Sequence, residues 1–216
     1  MSVKCFMVTE TDRFRASLRR FVFSSKAKCP GPSEYHNADG PEIGIVTGIK
    51  SADGFWSLDS IEKQYTPPRD DPRWPKKCDS CEYLFTDDDE YQFFTDHIYV
   101  DEAGTEHSLR KPTPGMMWDA FWTSDYDKGP DGKSLVVICP NGAQWMIDGH
   151  ASNCTMRDDT GPYGVAHRCW TRTGTPPLIQ VGKQFGKTCS AGGGSIQAGD
   201  YHGFLGNAGA QPGYFT

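Results

Sequence analysis

The stretch Thr66-Pro67-Pro68-Arg69-Asp70-Asp71-Pro72-Arg73-Trp74-Pro75-Lys76-Lys77-Cys78-Asp79-Ser80-Cys81 decides how this chain is read. Proline fixes φ and carries no N–H, so residues 66–76 form an extended joint rather than the interior of a helix or strand. The joint leads directly into Cys78-x-x-Cys81. A two-residue gap lets a tight turn present two thiolates to one tetrahedral ion, and two more ligands must arrive from elsewhere. Lys76 and Lys77 stand where they offset thiolate charge.

The candidates for the second pair are Cys139, Cys154, Cys169 and Cys189, with His150, His167 and His202 as imidazole alternatives. Spacing does not choose among them, because no second CxxC or CxxH exists. His167-Arg168-Cys169 is the closest-knit His/Cys pair, and Cys189 precedes a glycine run that permits unusual backbone angles. Cys5 and Cys29 read instead as buried small hydrophobes. Disulfides are a third reading for the late cysteines. The absence of an apolar segment near Met1 predicts a chain kept in a cytosol, where paired cysteines argue for metal before disulfide.

Composition sets the fold class. Gly 24 and Pro 15 together exceed a sixth of the 216 residues, which predicts many turns and short elements. A hydrophobic fraction of 37% is enough for a core, so disorder of the whole chain is excluded. The longest apolar run, Leu135 to Cys139, is far too short to cross a membrane. The expectation is a β-rich α+β protein of short antiparallel strands and hairpins with long loops and a zinc-ribbon-like knuckle. It forms a single domain, 1–216, with a sub-boundary at 66–76 between an N-terminal α+β part and a Cys-rich β part.

Individual elements follow from pattern. Phe14, Leu18 and Phe21 recur at helical spacing, and Thr9 or Thr11 would cap a helix from Asp12, although 18–23 reads equally well as strand. Ile43, Ile45, Val46 and Ile49 predict a strand interrupted by Gly44 and Gly48, and Tyr91–Val100 predicts another. Met116–Trp122 reads as core. Asn141-Gly142 predicts a hairpin between 134–139 and 144–147. Arg168–Arg172 and Leu178–Val181 predict a second, through Gly174 and Pro176-Pro177. The glycine-rich tail 191–216 is flexible unless its aromatic residues dock.

Net charge is −6, yet residues 13–28 hold six Lys/Arg and no acid, leaving −12 for the rest. A protein this acidic is no general nucleic-acid binder, but Arg13, Arg15, Arg19 and Arg20 offer a docking surface for nucleic acid or another acidic partner. Motifs for catalysis are missing: no G-x-S-x-G, no H-E-x-x-H, and no deaminase H-x-E with P-C-x-x-C. Asp148 with His150, and Asp158 and Asp159 with His167, are short-range pairs of the kind chance supplies. Asp87, Asp88, Asp89 and Glu90 lack calcium-loop spacing and read as a solvated loop. Cys189 with His202 is the best nucleophile–base pair, for a hydrolase that uses a thiolate or a zinc-bound water.

Several short motifs in fixed order carry a resemblance. These are CDSCEYLFTDDD at 78–89, ASNCT at 151–155, HRCW at 167–170, TCSAGGGSI at 188–196 and YHGFL at 201–205, with TDRFRASLRRF and YHNA (35–38) ahead of them. The chain resembles an uncharacterised family of Cys-rich proteins encoded in tailed bacteriophage genomes. The resemblance implies recurrent cysteines at Cys78, Cys81, Cys154, Cys169 and Cys189, all candidate zinc ligands, and leaves Cys139 outside the pattern. It implies a phage product acting in the host bacterial cytoplasm or built into the virion, in capsid or tail, with other phage structural proteins or a host protein as partners. An early factor binding a host protein or nucleic acid is the alternative role.

Overall fold

The computed structural model describes residues 2–22, 28–31, 34–123, 128–151, 154, 169–183 and 194–216. Its elements in chain order begin with β1 (Val3–Lys4), β2 (Phe6–Met7), β3 (Thr9–Val22), β4 (His36–Thr47), β5 (Ile49–Lys50), β6 (Trp56–Ser57) and α1 (Asp59–Tyr65). There follow β7 (Glu90–Val100), β8 (Glu106–His107), β9 (Met116–Asp119), β10 (Leu135–Ile138) and β11 (Gln144–Met146). The last are β12 (Trp170–Thr175), β13 (Leu178–Lys183), β14 (Ile196–Ala198), β15 (Tyr201–Gly203) and β16 (Tyr214–Phe215). The protein is strand-rich, and α1 is the one α-helix among the described residues, which therefore hold no helix long and apolar enough to cross a membrane.

The chain divides into two compact units, Met1–Thr9 with Tyr99–Thr216, and Glu10–Ile98. The Pro-rich stretch 66–76, expected as an internal boundary of a single domain, lies inside the second unit. The chain instead changes unit at 9/10 and at 98/99.

In the unit Glu10–Ile98, β3 corrects the helical reading of residues 12–21. It is a 14-residue strand in which Phe14, Ala16, Leu18 and Arg20 are buried in alternation. Of the residues at helical spacing, Phe14 and Leu18 also fit period two with Ala16 and Arg20 inward, whereas Phe21 falls on the other face. Tertiary pairing decides between the two periods, because β3 lies between β4 and β7 with a ladder partner on each side. Phe14, Ala16, Val46 and Phe93 form the core, with Ile43, Trp56, Leu58 and Ile61 packed on it. Thr11 donates its hydroxyl to the Ile98 carbonyl (2.6 Å), fixing the ends of β3 and β7.

In the other unit, β2, β9, β10 and β11 form one sheet, with the β10–β11 hairpin turning at Asn141-Gly142 as its sequence predicts. Gly142 takes φ +85, the left-handed conformation such a turn requires. The β12–β13 hairpin pairs Thr175 with Leu178 around Pro176-Pro177, the second hairpin expected. The aromatic residues of the tail dock. Ile196, Leu205 and Phe215 are fully buried in the core with Met117, Val137, Trp170 and Ile179, and β16 pairs with β1.

Sequence reading did not find the buried charge network of this unit. The Arg172 side chain donates from Nε to Asp148 Oδ1 (2.7 Å), from Nη1 to Asp131 Oδ2 (3.1 Å) and from Nη2 to the Lys133 carbonyl (3.1 Å). The Leu135 N–H donates to Asp148 Oδ2 (3.0 Å). Gly129 is obligatory beside it, because a Cβ there would stand 2.1 Å from Arg172 Nη2.

Candidate metal centre

Two loops of the unit Glu10–Ile98 converge on one point. The first leaves the residues before β4 and carries Cys29, with His36 at the start of β4. The second is the turn Cys78–Cys81 between the Pro-rich stretch and β7, clamped by Cys78 N–H to the Tyr83 carbonyl (2.9 Å) and Phe85 N–H to the Lys76 carbonyl (3.0 Å). The loops share a backbone pattern. In each, the cysteine N–H bonds to the carbonyl five residues on, Cys29 to Glu34 (3.2 Å) as Cys78 to Tyr83. In each, the N–H two residues on donates to the cysteine sulfur, Gly31 to Cys29 Sγ and Ser80 to Cys78 Sγ, both at 3.4 Å. Backbone N–H groups aimed at sulfur favour the thiolate over the thiol.

The ligand-type atoms of Cys29, His36, Cys78 and Cys81 all lie within 4.8 Å of one another. Cys29 Sγ is 3.9 Å from Cys78 Sγ and 3.9 Å from Cys81 Sγ, and Cys81 Sγ is 3.3 Å from His36 Nδ1. Sulfurs held about 2.3 Å from a common tetrahedral ion stand roughly 3.8 Å apart, whereas a disulfide needs about 2.0 Å. The spacing therefore fits a metal cage and not a cystine. Cys29, His36 and Cys78 are buried and Cys81 is half-buried.

Electrostatics prepare the thiolates unequally. Burial pushes the Cys78 thiol up, but hydrogen bonds from the Ser80 backbone, His36, the Asn37 backbone and Cys81 outweigh it and bring the value down to about 6. For Cys29, the Gly31 N–H favours the thiolate, yet burial and the adjoining Cys78 and Cys81 leave the group raised. Crowding of negative sulfur is the expense of gathering three thiols without a cation between them.

The imidazole is oriented by stacking. His36 lies 4.1 Å from the Tyr83 ring with the planes 10° apart. Tyr83 in turn donates its hydroxyl to Asp89 Oδ2 (3.1 Å), and Asp89 also accepts the Thr86 N–H (2.7 Å). His36 Nε2 is buried with no hydrogen-bond partner. The stacking sets the ring position, and Nδ1 faces the sulfurs, where it can serve as a metal ligand once a cation replaces the proton it shares with them. Asp89 belongs to the acidic run read as a solvated loop, and its role is to hold this turn.

Among the described residues, the structure joins Cys78 and Cys81 to Cys29 and His36. Cys29, expected as a core residue, is a member of the cluster. Because Cys29 and His36 precede residues 66–76 while Cys78 and Cys81 follow them, the cluster still links the two sides of the Pro-rich joint. Cys169 is buried in the core of the other unit, where the Ala151 N–H donates to its sulfur (3.1 Å), and Cys154 packs against that core. Cys5 and Cys139 lie in the same core with their thiols pushed up to about 12, by burial in both and by Cys139 in addition for Cys5. Cys189 and His167, with Asp158 and Asp159, lie outside the described residues. Asp148, paired in sequence with His150, is committed to Arg172 and the Leu135 N–H.

The arginines of β3 do not form one exposed row. Arg13, Arg15 and Arg19 share a face, on which Arg19 pairs with Asp39 (2.6 Å) over the Phe94 ring and Arg15 approaches Glu42 (3.9 Å). Arg20 points the other way, is 4% exposed, stacks on Tyr91 and donates to the Thr86 carbonyl.

The sequence matches no protein-family model, and comparison with curated proteins and with solved structures returned no match.

Proposed function

We propose that this is a non-enzymatic protein in which Cys29, His36, Cys78 and Cys81 hold one zinc ion as a fold staple, in a zinc-ribbon-like pair of knuckles. The convergence of three sulfurs and one imidazole nitrogen within 4.8 Å carries the reading. Thiolates with imidazole in a tetrahedral set suit zinc. Four protein ligands complete the coordination and leave no position for a reactive water, which argues for a structural role over hydrolysis. The biological setting we propose is a structural or accessory component of a bacteriophage particle, supported by the order of motifs from Cys78 to Leu205.

Metal analysis of the protein purified without chelator or oxidant tests the chemistry. Stoichiometric zinc should be present, be lost in Cys29→Ser, Cys78→Ser and Cys81→Ser, and persist in Cys154→Ser, Cys169→Ser and Cys189→Ser. Zinc that survives Cys29→Ser but not Cys169→Ser would refute the ligand set. Mass spectrometry of purified particles tests the setting: the chain belongs among the particle's proteins, and its absence there would favour an early factor acting on a host partner.

A further inference from the structure

Among the described residues, β4 is the terminal strand of its sheet, with β3 on one side only. An open edge of this kind is a template for another strand unless something blunts it. Between the pairs Arg19–Asp39 and Ala16–Gly44 the ladder is broken by register shifts, and Pro41, which has no N–H to offer, falls in this irregular stretch. Ahead of it, residues 36–39 pair regularly with β3.

That regular run is where the metal-site turn lies. The Asp79 N–H donates to the Asn37 carbonyl (2.9 Å), and the Asp39 N–H donates to Asp79 Oδ2 (3.0 Å). Asn37 and Asp39 are two apart, so both turn the same backbone side away from β3. Asp79 occupies two of the outward groups that a new strand would use, the Asn37 carbonyl and the Asp39 N–H. It is held there by its neighbours in sequence, Cys78 and Cys81, and Pro75 packs on Gly40 close enough that a Cβ would meet it at 3.1 Å.

We infer that the metal site serves as an edge guard: the bound ion holds Asp79 over β4, and its removal opens residues 37–39 for pairing with the same edge of a second copy. This rests on the zinc reading above. The edge is self-complementary. In an antiparallel two-fold pair centred on Ala38, residue 39 of each copy donates its N–H to the carbonyl of residue 37 of the other. These are the two groups that Asp79 now occupies.

Analytical ultracentrifugation of the full chain, zinc-loaded and after chelation, tests the inference. Zinc content before chelation judges the zinc reading by itself. Zinc-loaded protein should sediment as the monomer, stripped protein as a dimer or larger species, and stripped Asp39→Pro, which lacks the outward N–H, as the monomer. A stripped wild type that remains monomeric overturns the edge guard even where zinc was present and lost. Association of stripped Asp39→Pro equal to that of wild type overturns it as well. Hydrogen exchange provides an independent readout in protein that keeps all four ligands. In zinc-loaded Asp79→Ala the Asp39 amide should exchange about tenfold faster than in wild type, and an unchanged rate contradicts the proposal.

Discussion

Gly31 lies so close to Ser80 that a Cβ on residue 31 would stand 2.5 Å from Ser80 Cβ and 2.7 Å from its Oγ. This contact joins the two cysteine loops at the residues whose N–H groups donate to Cys29 and Cys78 sulfur. Gly31→Ala should therefore push the loops apart and weaken metal binding by at least about tenfold, since a displaced support commonly costs that much. Ser80→Gly removes both clashing atoms, so the double variant should recover most of the loss. Competition titration with a chromophoric zinc chelator measures each affinity, and a double variant as weak as Gly31→Ala would show that the contact is not the cause.

The Tyr83 side chain bears on the site by stacking on the His36 ring while its hydroxyl is held by Asp89. Tyr83→Leu should lower zinc affinity about tenfold, and Asp89→Asn by less, with the ligand count unchanged. Cobalt substitution provides the check. The absorption bands of a three-sulfur, one-nitrogen site should persist in Tyr83→Leu at higher cobalt demand. Loss of the bands at saturation would make Tyr83 a condition of folding rather than of ligand orientation.

How far the sequence could be read depends on how local each signal is. The hairpins at Asn141-Gly142 and Pro176-Pro177 were legible because turn chemistry is contained in a few neighbouring residues. β3 was ambiguous because Phe14 and Leu18 satisfy both periods, and only the inward positions of Ala16 and Arg20 separate them. An inward arginine is the least expected of these. Arg20 is tolerated because the Tyr91 and Phe85 rings and the Thr86 carbonyl receive it. Half of the metal site was legible for the same reason of locality, since Cys78-x-x-Cys81 is a self-contained turn. The other half was not, because Cys29 and His36 are seven residues apart with Pro30 and Gly31 between, and nothing local marks a ligand spacing. Glycine two residues after Cys29 was the available signal, in the position from which the N–H reaches the sulfur.

Arg172 binds two carboxylates whose proton affinities move in opposite directions. Its hydrogen bonds hold Asp131 below the ordinary carboxylate range, while burial pushes Asp148 up against the pull of the same arginine. A depressed acid contributes stability that is present above its unfolded value, about 4, and is lost as pH falls through the lower folded value. A raised acid has the reverse sign, contributing below its unfolded value and losing that contribution as pH rises. Asp131→Asn should therefore lower the Tm at neutral pH, and the gap to wild type should close below about pH 4. Thermal melts across that range decide it, and a gap independent of pH would show that the Asp131 charge is not involved.

Removing the guanidinium itself is a harsher test of the same network. Arg172 and Asp148 are almost wholly buried, with side chains 1% and 6% exposed. Arg172→Met leaves the carboxylate in the core without its cation, and breaking a buried pair in this way costs about 3–5 kcal/mol. Adding Asp148→Asn removes the orphaned charge and should restore part of that loss. Denaturant unfolding of the three proteins measures both steps, and a double variant no more stable than Arg172→Met would place the cost in packing instead of charge.

The tail supplies the last prediction. Phe215 is fully buried, sits 5.5 Å from the Tyr201 ring edge-on, and pairs through its backbone with Val3. Its ring fills the same core as Ile196 and Leu205. Phe215→Ala should thus cost about 3–5 kcal/mol, the range for deleting a buried aromatic side chain. Tyr214→Ala, on the half-buried face of the same strand, should cost far less. The two substitutions remove similar bulk one residue apart, so their difference isolates burial from mere proximity to the chain end. Equal and small effects on chemical unfolding would mean that the tail does not dock in solution. A large effect confined to Phe215 would make the last strand part of the core that closes on β1.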